Sequence, residues 1–280
     1  MKKISIIGAG TMGNGIAQVF AMNNCHVNLI DLNSSSLTNG VNRIITNLDR
    51  MIKRDIISSD QKTATLDNIS TSTDINSAKS SDLVIEAVTE DIKVKLKIFA
   101  QLDQICSSET ILATNTSSIS ITEIAASTKR EDKVIGMHFM NPVPIMKLVE
   151  IIKGSKTSNE TLGFIKNLSK SINKIPVECN DSPGFVSNRI LMPLINEAAY
   201  TFMEGVASVE SIDEIMKLGM GHPMGPLKLA DLIGIDVCVS IMEVLLSGFN
   251  NEKYAICPLL IEMNKKGKLG MKTGEGFYKY

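Results

Sequence analysis

Six residues near the amino end constrain this chain more than any others. Gly8-Ala9-Gly10-Thr11-Met12-Gly13 follows an apolar run at 3–7 and opens a helical pattern with apolar positions at Met12, Ile16, Val19 and Phe20. A strand that turns into a helix through three glycines at this spacing suits a dinucleotide. Gly8 permits the tight turn, Gly10 lets the backbone approach a pyrophosphate, and Gly13 lets helix and strand pack closely. The phosphates then sit on N–H groups of the first helical turn. Asp31 closes the second apolar run, eighteen residues past Gly13, where a carboxylate accepts from the ribose hydroxyls. It repels a 2′-phosphate, and Ile30, Leu32 and Asn33 bring no cation. The expected cofactor is NAD rather than NADP, held by the six turn residues and Asp31. The bland alternative, a glycine turn beside a surface aspartate, leaves the strand, helix and acid as a coincidence.

Further runs rich in Ile, Val and Leu lie at 26–31, 68–72, 82–87, 110–115 and 133–139, with helical patterns between most of them. That alternation predicts a mostly parallel sheet covered on both faces. Two more runs, 148–152 and 176–179, read as strands closing one edge. Beyond about residue 182 the strands stop, and 184–204, 208–218, 226–246 and 258–266 have helical spacing. The predicted fold class is α/β: a Rossmann-type, mostly parallel sheet domain at 1–182, followed by an all-α C-terminal domain at 183–280. The stretch from 31 to 68 is long for a crossover. Leu37, Val41, Ile44, Ile45, Leu48 and Ile52 give one amphipathic helix and 60–66 a second, a helical pair inserted at about 34–67. Arg43, Arg50, Lys53 and Arg54 decorate it. They read either as a solvated basic face or as a lobe that contacts an anionic ligand.

Lysine and arginine number 29 against 30 acidic residues, so there is no basic excess to drive nucleic-acid binding. No apolar run reaches the length of a membrane span. The lysine-led start is broken by the glycines and reads as no signal peptide. Five scattered cysteines without a Cys-x-x-Cys pair predict neither a disulfide framework nor a metal site, and point to a reducing cytoplasm.

Three histidines are present. His26 begins a strand and reads as a surface residue, and His222 as part of the loop before a helix. His138 ends a strand, where ligands of parallel sheets bind. Glu150 lies in an otherwise apolar strand and needs a buried partner; the returning chain places it against His138. The pair reads as a structural contact or as an acid/base with its orienting carboxylate. Ser117 follows Asn115 and Thr116 at another strand end, next to a capping box at Ser120-x-x-Glu123. Ser117, His138 and Glu150 also invite a hydrolase reading. The sequence lacks a Gly-x-Ser-x-Gly elbow, and a hydrolase leaves the nucleotide motif unexplained. A hydroxyl that polarises a substrate oxygen fits better.

Gly8–Gly13, 115–118, 138–144, 181–189, 222–226 and 272–278 together resemble the L-3-hydroxyacyl-CoA dehydrogenase family. The resemblance covers essentially the whole chain, with the motifs in family order. It implies an oxidoreductase that moves hydride between NAD(H) and a short-chain 3-hydroxyacyl-CoA/3-ketoacyl-CoA pair, (S)-3-hydroxybutyryl-CoA and acetoacetyl-CoA foremost. It implies His138 as general acid/base with Glu150 orienting it, and Ser117 and Asn188 on the substrate oxygen. Glu90, Lys95, Asn115, Ser117, Asn141 and Lys272 are implied to place NAD. In the family a serine and a lysine of the helical pair touch coenzyme A; Asn47 and Arg54 occupy those positions here, with Arg50 and Lys53 beside them. The rival readings are a related dehydrogenase of a sugar acid or other hydroxy acid, and a catalytically idle NAD-binding module. The helices at 184–204 and 226–246 are apolar over more than one face, which predicts burial on several sides and a homodimer.

Overall fold

The computed structural model describes residues 2–280. Eight short Val-, Ile- and Leu-rich segments pair into one sheet: β1 (Lys3–Ile7), β2 (His26–Ile30), β3 (Ile69–Ser72), β4 (Leu83–Glu86), β5 (Ile111–Thr114), β6 (Val134–Phe139), β7 (Leu148–Lys153) and β8 (Ile175–Asn180). Their spatial order is β3-β2-β1-β4-β5-β6-β7-β8. All neighbours run parallel except β6 and β7. The reason is length. Parallel strands need a crossover of a dozen or more residues, and only the turn at 140–147 separates β6 from β7. The central strands are buried on both faces, as helices on either side of a parallel sheet require.

Six helices accompany the sheet: α1 (Thr11–Met22), α2 (Ser34–Ile52), α3 (Ser59–Asp67), α4 (Ile92–Ile105), α5 (Ile121–Ala125) and α6 (Asn159–Ser171). The expected helical pair is α2 and α3. Asn33 caps α2 by accepting from Ser35 N, and Ser58 with Gln61 forms a capping box on α3. Helix α2 buries Leu37, Gly40, Ile44 and Leu48 and turns its other face outward. Asn24 takes left-handed geometry (φ 58°) in the tight turn into β2, and His26 is exposed.

The chain divides into two units, Met1–Asp181 and Ser182–Tyr280. The second holds α7 (Ser187–Met203), α8 (Val209–Met220), α9 (Pro226–Ile233), α10 (Ile235–Phe249) and α11 (Pro258–Lys265). The single helix expected at 226–246 is in fact two. Gly234 separates them at φ 106°, a conformation that side chains with a Cβ rarely adopt. A Cβ there would lie 2.9 Å from Asp236 Oδ1 and 3.0 Å from Lys272 Nζ. The helix expected from 184 starts at Ser187, because Gly184 and Phe185 both have positive φ. Among the described residues no helix is long and apolar enough to cross a membrane.

Candidate active site

The dinucleotide turn is built by close approach. Gly8 has φ +103°, and a Cβ on Gly13 would lie 1.8 Å from Gly8 O, so only glycine lets α1 start here. Gly10 ends the turn with no side-chain cap on the helix, which leaves first-turn N–H groups directed at a ligand. No described atom beyond its own turn lies within 4 Å of a Cβ built on Gly10, and Gly10 and Thr11 are exposed, so the turn is open at that point. Asp31 braces the same turn: Oδ2 accepts from Ala9 N at 2.8 Å and Oδ1 from Asn33 N at 3.0 Å. A carboxylate offers about four acceptor sites, so it retains capacity for ribose hydroxyls.

His138 and Glu150 are register partners across β6 and β7. Directly opposite residues of an antiparallel pair put their side chains on one face. His138 Nδ1 lies 2.8 Å from Glu150 Oε2, with both residues buried. A carboxylate only accepts, so Nδ1 carries the proton. Proton exchange then falls to Nε2. Asn115, at the end of β5, uses its side-chain oxygen to accept from Phe139 N at 2.9 Å, tying the two strand ends together.

Ser117 sits on a loop that Glu90 gathers. Glu90 Oε1 accepts from Thr116 Oγ1 at 2.6 Å, Ser117 N at 2.8 Å and Ser118 N at 3.1 Å, and Ser117 Oγ approaches it at 3.1 Å. Burial raises the Glu90 carboxyl, but the Lys95 ammonium and the bonds from Thr116 and Ser117 outweigh it and hold it below the ordinary glutamate range. Lys95 is fully buried: Nζ lies 2.7 Å from Glu86 Oε1 and 3.4 Å from Glu90 Oε2. Glu86 is a residue that sequence reasoning missed. It ends the strand Leu-Val-Ile-Glu, and a carboxylate in an apolar strand is the same signal that singled out Glu150.

A cavity of about 240 Å³ is lined by Thr11, Asn14, Gly15, Arg43, Thr46, Asn47, Arg50 and the turn 141–144. It brings together the dinucleotide turn, the basic face of α2 and Asn141. Lys174, buried, closes the far side of that turn by donating to Val143 O and Met146 O. Lys53 and Arg54 lie beyond α2, exposed, and do not line the cavity. Arg43 does, and donates to Thr11 Oγ1 at 3.2 Å. Its place one turn before Asn47 and two before Arg50 on one helix face was the available signal.

Two expected site residues belong to the helical unit. Asn188 is buried in the first turn of α7. Lys272 lies in a short 3₁₀ turn and pairs with Asp236. Asp231, fully buried, accepts from Phe277 N and Tyr278 N at 2.9 Å each, pinning the segment after Lys272. The described residues contain no group of His, Cys, Asp or Glu able to hold a metal ion.

Residues 3–182 match the family described as 3-hydroxyacyl-CoA dehydrogenase, NAD binding domain, and residues 184–280 match its C-terminal domain. The chain is 51% identical over 278 residues to the 3-hydroxybutyryl-CoA dehydrogenase of Clostridioides difficile, covering 99% of both chains. It is 42% identical over 291 residues to the human mitochondrial hydroxyacyl-coenzyme A dehydrogenase, covering 100% of this chain and 91% of that one. Among solved structures, the (S)-3-hydroxybutyryl-CoA dehydrogenase of Ralstonia eutropha is similar at a TM-score of 0.97 and 48% identity, covering 100% of this chain and 99% of the other.

Proposed function

The chain belongs to the 3-hydroxyacyl-CoA dehydrogenase family, and from that premise we propose that it interconverts (S)-3-hydroxybutyryl-CoA and acetoacetyl-CoA through a His138–Glu150 acid/base pair. The supporting observation is the buried 2.8 Å contact between His138 Nδ1 and Glu150. In oxidation, neutral His138 takes the 3-hydroxyl proton at Nε2, and the Glu150 carboxylate stabilises the imidazolium that forms. In reduction, His138 returns that proton to the C3 oxygen. Ser117 hydrogen-bonds the same oxygen, and the family resemblance assigns Asn188 there too. NAD(H), when bound, supplies or accepts the hydride. Gly8–Gly13 and Asp31 hold its adenosine diphosphate portion, and the family resemblance assigns Glu90, Lys95, Asn115, Ser117, Asn141 and Lys272 to its placement.

The relatives with 47–51% identity over nearly the whole chain carry the four-carbon name, which supports that chain length over a longer acyl group. The basic face of α2 takes the coenzyme A phosphates. Arg50 and Asn47 act at the cavity, with Lys53 and Arg54 at the helix end. The five cysteines are free thiols, which suits a reducing cytoplasm. In the helical unit Ile190, Leu218, Met220 and Leu232 are each more than half exposed; these apolar side chains suit a two-fold contact between copies. NADH oxidation with acetoacetyl-CoA, longer 3-ketoacyl-CoAs and free 3-keto acids tests the assignment. Acetoacetyl-CoA is expected to be the best substrate. A free keto acid turning over with higher kcat/KM would replace this reading with the hydroxy-acid alternative.

A further inference from the structure

We propose that Lys174 and Gly15 are positioning residues for the turn between β6 and β7, which they hold where Asn141 can meet the cofactor. The inference rests on the reading that Asn141 serves NAD. Its basis is a buried cation with no anion to explain it. Lys174 stands just before β8 and is 6% exposed. Lysine is almost never that buried unless paired with an acid. Burial lowers its pKa from the ordinary lysine value, and no neighbouring charge offsets this. Its ammonium donates instead to two backbone carbonyls of one turn, Val143 O and Met146 O. The lysine is itself anchored at its base: Lys174 N donates to Ser169 O at 3.0 Å, and Ile175 N to Lys147 O at 2.8 Å.

The turn has little of its own to fix it. Pro142 and Pro144 lack an N–H, and the internal bonds are Ile145 N and Met146 N to Pro142 O, 3.0 Å each. Asn141, Pro142, Ile145 and Met146 are exposed. Val143 is the buried residue of the turn, and it rests on α1. A Cβ on Gly15 would come within 3.0 Å of Val143 Cβ and 3.1 Å of its Cγ2. Glycine at 15 therefore lets the turn settle on the helix that the dinucleotide turn opens. Asn141, Val143 and Gly15 all line the 240 Å³ cavity, whereas Lys174 does not and acts from behind the turn. Taking an ammonium out of water is costly, and two carbonyl acceptors offset part of that cost. What the arrangement provides is a single place for the turn, and a binding residue held in place before its ligand arrives loses less freedom on binding.

The test compares Lys174→Met, Gly15→Ala and Asn141→Ala with the intact chain. Lys174→Met removes the charge and the donors, and is expected to speed amide hydrogen exchange at Ile145 and Met146 by about tenfold or more. Its Kd for NADH, from fluorescence titration, rises about fivefold, as the loss of one hydrogen bond gives. Its kcat at saturating NADH stays within about twofold. In the Asn141→Ala background Lys174→Met weakens NADH no further. Gly15→Ala displaces the turn from the α1 side and gives the same exchange and Kd signature should Lys174→Met not fold. Unchanged exchange at Ile145 and Met146 in both variants overturns the proposal. So does a rise in Kd that persists in full without the Asn141 side chain, which would make Lys174 act on the ligand itself. Faster exchange with an unchanged NADH Kd overturns it too wherever Asn141→Ala weakens NADH. Wild-type NADH binding by Asn141→Ala would strike the reading of Asn141, and the exchange measurement then judges the hold on the turn by itself.

Discussion

Glu150 stands directly opposite His138 across the one antiparallel strand pair of the sheet, and its carboxylate meets Nδ1 at 2.8 Å. Both residues are buried, so the strand ends and not a flexible loop fix the tautomer and direction of the ring.

Replacing His138 with Gln removes the proton carrier and is expected to lower kcat by about 10²–10⁴-fold, with little change in NADH affinity. Glu150→Gln keeps an oxygen that can accept from Nδ1 but removes the charge that favours the imidazolium; a charge-assisted hydrogen bond is roughly twice as strong as a neutral one, so kcat is expected to fall by about tenfold. The double variant is expected to be no slower than His138→Gln, because the carboxylate acts only through the ring. Steady-state rates with stopped-flow NADH binding check all three; near-normal turnover of His138→Gln would place the base elsewhere.

Asp31 sets the cofactor preference. A 2′-phosphate about 4 Å from its carboxylate is repelled by roughly 4 kcal/mol at an effective dielectric near 20. NADH is expected to exceed NADPH in kcat/KM by at least about 10²-fold. Asp31→Ser narrows the gap and also weakens NADH, since Asp31 braces Ala9 N and Asn33 N. Equal efficiency with the two cofactors in the intact protein would defeat the assignment.

Arg50 lines the α2 cavity, whereas Arg54 lies past the end of the helix. Arg50→Ala is therefore expected to raise the acetoacetyl-CoA KM more than Arg54→Ala, by about fivefold or more, with the NADH KM unaffected. The effect shrinks at high ionic strength. A parallel rise in both KM values would mean that this face serves the cofactor.

The carboxyl of Glu90 sits below its ordinary range in the folded chain. A group depressed on folding adds stability that is complete above the unfolded pKa, near 4.5, and fades as pH falls through the folded pKa. Solvent reaches about a third of its side chain, so the contribution is screened and modest. Urea melts of the intact chain and Glu90→Gln should differ most above about pH 5 and converge as pH falls below the ordinary glutamate range. A constant difference across that window would show that Glu90 is not stabilised as an anion.

The homodimer reading predicts a mass of two chains by light scattering at micromolar concentration. Leu218, 81% exposed on α8, and Ile190, 67% exposed on α7, are the apolar side chains to challenge. Changing each to Asp is expected to lower the mass toward one chain if its face is covered by a partner. A fully active monomer in the intact protein would rule out an obligate dimer.

Local chemistry made much of this protein legible. Three glycines, a strand before them and an acid after them specify a dinucleotide turn because each requirement is met within a few residues. Ile- and Val-rich runs announce strands buried on both faces, and the expected spans lie within one or two residues of those observed. Glu150 betrayed itself as a charge in an apolar strand. Glu86, with the same signature, went unread because its partner is reached only through the packing of α4 on β4. Lys95 looks in the sequence like any helical lysine; only the tertiary fold turns it inward between two carboxylates. Arg43, not Arg54, reaches the cavity because its place on α2 brings it to Thr11, whereas Arg54 lies past the helix end. Gly234 splits a continuous apolar pattern because its backbone takes φ 106° between α9 and α10, a turn that hydrophobic spacing does not record. Hydrophobic periodicity and turn residues act over single turns and strands, so the sequence alone determined the elements and the cofactor motif. Register, burial of charge and the choice of cavity-facing side chains depend on which distant segments meet, and those the tertiary structure decided.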